Sequence, residues 1–130
     1  MKITLSSDNA VVAGEFTMFL FNVRTMAHIM HLNTRSHATH SALDEFYKGI
    51  VDLTDRFAEA AAGRFKTIQW PAALGDGLRS VSGLEPVSYL EMVKNVIEKA
   101  DDLIEADDLE NILAEMLELT TKTLYKLGQQ

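Results

Sequence analysis

Apolar residues recur at helical spacing in four stretches of the chain. In the first, from about Asn9 or Ala10 to Leu32, the residues Val12, Phe16, Phe19, Leu20, Val23, Ala27 and Met30 form one stripe. Met18 and Phe21 fall outside it, which predicts a helix buried on more than one face, as packing against another subunit would require. In the second, from about Ser36 to Lys66, the core stripe is Ala42, Leu43, Phe46, Ile50, Leu53, Phe57 and Ala60. The third begins at Pro86, a favourable first-turn residue, and runs to about Glu105 through Tyr89, Leu90, Val93, Val96, Ile97, Ala100 and Ile104. The fourth covers about Asp108 to Leu127, with Leu109, Ile112, Leu113, Met116, Leu119, Leu124 and Leu127 inward, Asp107 as its cap and Gly128 as its stop.

The joints differ in length. Asn33, Thr34, Arg35 and Ser36 are turn and cap formers, and so short a link makes the first two helices antiparallel neighbours. It also draws His31 toward His37 and His40, with His28 nearby. After Lys66 the pattern breaks at Pro71, Gly75, Gly77 and Gly83. This predicts a crossover of roughly twenty residues, with a short helical turn near Leu74 to Val81 and Trp70 as a packing anchor. Residues 1–130 thus read as a single all-α domain. Two helices, one long crossover between helices two and three, and two further helices make the connectivity of a ferritin-like four-helix bundle.

Composition narrows the chemistry. With no cysteine the chain has no disulfide and no thiolate metal site. A net charge of −7 argues against DNA binding through a basic surface. No run of about 18 apolar residues exists, so no membrane span is expected, and the first residues make a poor signal peptide. The expected location is cytoplasmic.

The candidate chemistry sits on the second helix. His40, Asp44, Asp55 and Glu59 share a stripe within about 100° beside the core face. One helix cannot gather them, since Asp44 and Asp55 stand about 16 Å apart along its axis. The positions are, however, symmetric about Gly49 and Ile50. An antiparallel second copy, related by a twofold axis at that level, sets His40 against Glu59 and Asp44 against Asp55. Two equivalent His/carboxylate sites follow, which is the self-complementarity of a C2 contact. The competing reading is a solvated charged face with one histidine in it. Nine acidic residues between Glu98 and Glu118, against one lysine, read either as another solvated face or as a funnel for cations.

These residues carry a resemblance. His31-Leu32-Asn33-Thr34-Arg35-Ser36 is similar to the His-Trp-Asn-x-Lys-Gly segment that ends the first helix in the Dps-like branch of the ferritin-like superfamily. His40-x3-Asp44 and Asp55-x3-Glu59 match the internal spacings of that family's ferroxidase ligands, and residues 105–127 look like its last helix. The chain also resembles small uncharacterised Dps-like proteins encoded by phages. The resemblance implies a mini-ferritin that binds Fe at a twofold interface. His31, His40 and Asp44 would come from one subunit and Asp55 and Glu59 from its mate. It further implies oxidation of Fe(II) by peroxide or dioxygen, assembly into a homo-oligomer or cage, and ion entry past Asp101, Asp107 and Asp108. Leu32 and Ser36 depart from the family pattern. His31 and His40 are about one turn closer than usual, which leaves His28 or His37 as substitutes for the first ligand. The alternative is a non-catalytic oligomeric helical protein of phage or prophage origin that kept the bundle without the ferroxidase chemistry.

Overall fold

A computed structural model describes residues 8–71 and 84–129. These form four helices: α1 Asn9–Asn33, α2 His37–Phe65, α3 Pro86–Leu103 and α4 Asp107–Leu127. Among the described residues there is no strand, and no helix is long and apolar enough to cross a membrane. The proposed turn from Leu74 to Val81 lies outside the described residues.

The helix ends follow cap chemistry. Asp8 accepts from the amides of Ala10 and Val11, and Ser36 from that of Thr39, satisfying donors that the first turn leaves open. Glu85 does the same for α3 through Val87 and Ser88, with Pro86 at the first helical position. These bonds hold the Glu85 carboxyl below its ordinary pKa. At α4 the expectation fails. Asp107 is already helical, and the cap position is Ala106, which has no side-chain bond to give. Ala106 is buried, and an apolar residue packed there leaves Asp107, Asp108 and Glu110 to favour the first turn by charge. The ends of α2 and α3 also shift slightly. Lys66 leaves the helix in the left-handed region (φ 66°), and α3 stops at Leu103, with Ile104 buried beyond it.

Each helix packs on two neighbours. α1 lies against α2 and α3, and α4 lies against the same two, while α1/α4 and α2/α3 face each other diagonally. Contacting residues set the directions. Phe16 meets Phe57 and His31 meets His40, so α1 and α2 are antiparallel. Glu45 meets Lys122, Arg56 meets Glu115 and Arg64 meets Asp108, so α2 and α4 are antiparallel as well. Leu84 and Pro86 lie beside Met30 and Asn33, which puts the start of α3 at the end of α1. The end of α2 and the start of α3 therefore stand at opposite ends of the bundle.

Phe16, Phe46, Phe57, Leu20, Leu43, Ile50, Leu90, Ile97, Leu109, Leu113 and Met116 are fully buried at the centre. Each such side chain contributes about 1.5–3 kcal/mol through removal from water. The Phe16 and Phe57 rings meet edge to face, 5.2 Å apart at 80°. Thr17, Thr54, Thr120 and Thr123 are buried too, each donating its hydroxyl to the carbonyl four residues back, which removes the cost of an unpaired polar group. Ala60 is only partly buried; Ala61 takes the inward place at that end of α2.

The connection out of α2 is pinned at its start. The amide of Gln69 donates to the carbonyl of Ala10 (3.3 Å), and Gly14 lies under the Gln69 backbone. A Cβ at residue 14 would stand 1.9 Å from the Gln69 carbonyl oxygen, so only glycine permits this approach. Trp70, expected as a packing anchor, does pack, but on an outer residue of α1. Its ring stacks on Phe21 at 6.1 Å, yet it remains 50% exposed.

Candidate metal centre at the α1–α2 corner

The short link Thr34-Arg35-Ser36 turns the chain back on itself and brings two histidines face to face. His31 Nδ1 donates to the carbonyl of His40 (3.1 Å), and His40 Nδ1 donates to the carbonyl of His31 (3.0 Å). A carbonyl can only accept, so both rings carry their proton on Nδ1. With Nδ1 so engaged, Nε2 is the atom of each ring through which imidazole can ligate a metal. The two rings stack at 3.9 Å. His28 flanks the pair at 6.0 Å from His31 and stacks on Tyr47 at 4.4 Å. His37 flanks it on the other side, 6.4 Å from His40.

Asp44 completes the corner one turn along α2. Its Oδ1 lies 3.9 Å from His31 Nε2, and its Oδ2 accepts from Lys48 Nζ at 2.9 Å. The Lys48 ammonium holds the Asp44 carboxyl below its ordinary pKa. The carboxylate is therefore charged at neutral pH.

The structure brings together three of the five candidate ligands, namely His31, His40 and Asp44. It does not bring Asp55 or Glu59 to them. Those two are exposed further along α2 and engage no other described residue. Among the described residues no three His or carboxylate groups of the chain are placed to hold a metal ion by themselves. Of the suggested entry residues, Asp108 is paired with Arg64 at 3.5 Å, Asp107 is exposed and Asp101 is half-buried. Lys48 and Tyr47 were missed in the sequence. The four-residue step from Asp44 to Lys48 is the signal for the first, whereas nothing in the spacing identifies Tyr47 as the platform under His28.

No curated protein and no solved structure matches the chain. Residues 31–127 match the model of a family described as of unknown function, DUF5856. That stretch takes in His31, His40, Asp44, Asp55, Glu59 and the whole of α2, α3 and α4. The chain belongs to the DUF5856 family.

Proposed function

We propose that the protein is a Dps-like mini-ferritin that binds Fe(II) between twofold-related subunits and passes its electrons to peroxide or dioxygen. His31, His40 and Asp44 of one subunit would face Asp55 and Glu59 of the partner subunit. The observation that carries this reading is the locked histidine pair. Both Nδ1 protons are committed to the backbone, and the Nε2 of His31 stands 3.9 Å from a charged carboxylate. Imidazole and carboxylate together suit iron among first-row metals. Asp55 and Glu59, exposed and without a partner among the described residues, would supply the anionic half through the twofold symmetry of the positions about Gly49 and Ile50.

Two further features support the assembly. A ferritin-like crossover must span the bundle from end to end, and the ends joined between α2 and α3 lie that far apart. The outer side of α1 also leaves Phe21 and Leu32 exposed, with Trp70 against Phe21. Apolar residues so placed suit cover by a second copy. The acidic stretch at Asp101, Asp107 and Asp108 would draw cations toward a pore if a cage forms.

Anaerobic Fe(II) titration tests the reading. Saturable binding of about one or two irons per subunit, the occupancy of a shared interface site, is expected for the native chain. It should be lost in the Asp55→Asn/Glu59→Gln variant. Absence of saturable binding in both would sink it.

A second reading has its own observation. The paired histidine bonds close the α1–α2 turn and give both rings a structural task that needs no metal. A helical oligomer of phage or prophage type that ignores iron would keep them for that reason. Particle size unchanged by iron, with no coloured oxide formed in air, would favour it.

A further inference from the structure

Asp44 already holds a cation. Lys48 donates to its Oδ2 at 2.9 Å, while His31 Nε2 stands 3.9 Å from Oδ1. Both carboxylate oxygens are thus addressed, one by an ammonium and one by an imidazole. The Lys48 side chain is 71% exposed, and this is its one ion pair among the described residues. It is therefore free to rotate into solvent on its four-carbon stem.

We propose that Lys48 is a built-in competitor for the metal. It neutralises Asp44 while the site is empty and must swing away before a divalent ion can take that oxygen. The inference rests on the intersubunit metal reading and adds a control element to it. The strengths are suited to such a role. An exposed acid–lysine pair one helical turn apart is weak, so giving it up lowers metal affinity only about twofold. A lysine that stays within about 4–5 Å of a bound divalent ion lowers affinity more, by roughly twentyfold at water's dielectric constant. Lys48 thus lowers affinity without closing the site. It also brings the three carboxylates and one ammonium of the proposed site to a net charge of −2, which one divalent ion balances.

The test uses Co(II), whose visible absorption reports inner-shell binding and which needs no oxidant. The native protein, Lys48→Met, Lys48→Arg and Asp55→Asn/Glu59→Gln are titrated at low and high salt. Far-UV circular dichroism is recorded for each to confirm equal helix content. Lys48→Met is expected to bind Co(II) about two- to twentyfold more tightly, with the gain shrinking as salt screens the charge. Lys48→Arg should behave like the native chain. Co(II) binding that Lys48→Met leaves equal or weaker overturns the role of the lysine and leaves the metal site standing. Binding that survives loss of Asp55 and Glu59 overturns the intersubunit arrangement. In that case a tighter Lys48→Met would confine the competition to Asp44 and His31. No saturable Co(II) binding in any protein overturns both.

Discussion

Along its flank toward α4, helix α2 is laced by charge. Glu45 pairs with Lys122 (3.0 Å) and Lys126, Arg56 binds Glu115 through both carboxylate oxygens (2.7 and 3.1 Å), and Arg64 meets Asp108 at 3.5 Å. Along its flank toward α1 it meets rings instead: Phe57 on Phe16, Tyr47 on His28 and His40 on His31. The α4 flank finds its counter-charges within the chain. The outward edge beyond the α1 flank finds none among the described residues: Asp55 and Glu59 stand exposed there, and Phe21, Leu32 and Trp70 keep much of their surface in water. One helix therefore presents a finished seam on one side and an unfinished surface on the other.

The largest expected effect breaks the ring flank. Phe57→Ala removes a fully buried ring from the Phe16 contact and should cost about 3–5 kcal/mol in urea denaturation. A loss no greater than that of an ion-pair variant would mean that the two flanks do not differ in kind. Next comes Gly14→Ala. Its Cβ would collide with the Gln69 carbonyl, and about 1–3 kcal/mol should be lost. The emission of Trp70, the single tryptophan, should change as the connection lifts. Thermal melting followed by that fluorescence reads both.

His31→Ala and His40→Ala each remove one of the two reciprocal bonds and should cost about 0.5–1.5 kcal/mol without metal. Because the two rings also stack, a double-mutant cycle should return a coupling on the order of 0.5–3 kcal/mol. Additive losses would show that the rings act separately. The smallest effect belongs to the charged flank. Arg56→Met should lower the melting temperature slightly at low salt, and the difference should fade in concentrated salt.

Acid should act on the charged flank as well. Glu115 is held below its ordinary pKa by the Arg56 bond, and Glu45 by Lys126 and then Lys122. Carboxyls depressed in the folded state stabilise it above their unfolded pKa of about 4.3. That contribution disappears as pH falls through their lower native values. The melting temperature should therefore drop below about pH 4, and the drop should be smaller in Arg56→Met/Glu115→Gln. An equal drop would place the acid-sensitive groups elsewhere.

Much of the fold was legible because helical periodicity speaks for long amphipathic segments. The stripes of α2, α3 and α4 were read from apolar spacing, and the corner that joins His31 to His40 from the short link. Other features needed three dimensions. The Ala106 cap follows from burial of that residue, not from local cap preference. Trp70 reads as a packing anchor, but its partner Phe21 lies on the outer side of α1, so stacking leaves it half in water. The gathering of His31, His40 and Asp44 at the corner was legible from chain turn and spacing. Lys48 is a cation, not a ligand type, and only its i,i+4 step from Asp44 marks it in the sequence. The proposed pairing with Asp55 and Glu59 would be a property of two chains, which no single-chain geometry can contain.

The crossed histidine bonds have a consequence for recognition. Orienting an imidazole ligand normally costs rotational freedom at the moment of binding. Here the ring of His31 is fixed by the backbone of residue 40, and that of His40 by the backbone of residue 31. The turn orders both rings as it folds. Whatever electrophile reaches their Nε2 atoms meets a preorganised pair, and its affinity bears little entropic penalty for assembling them.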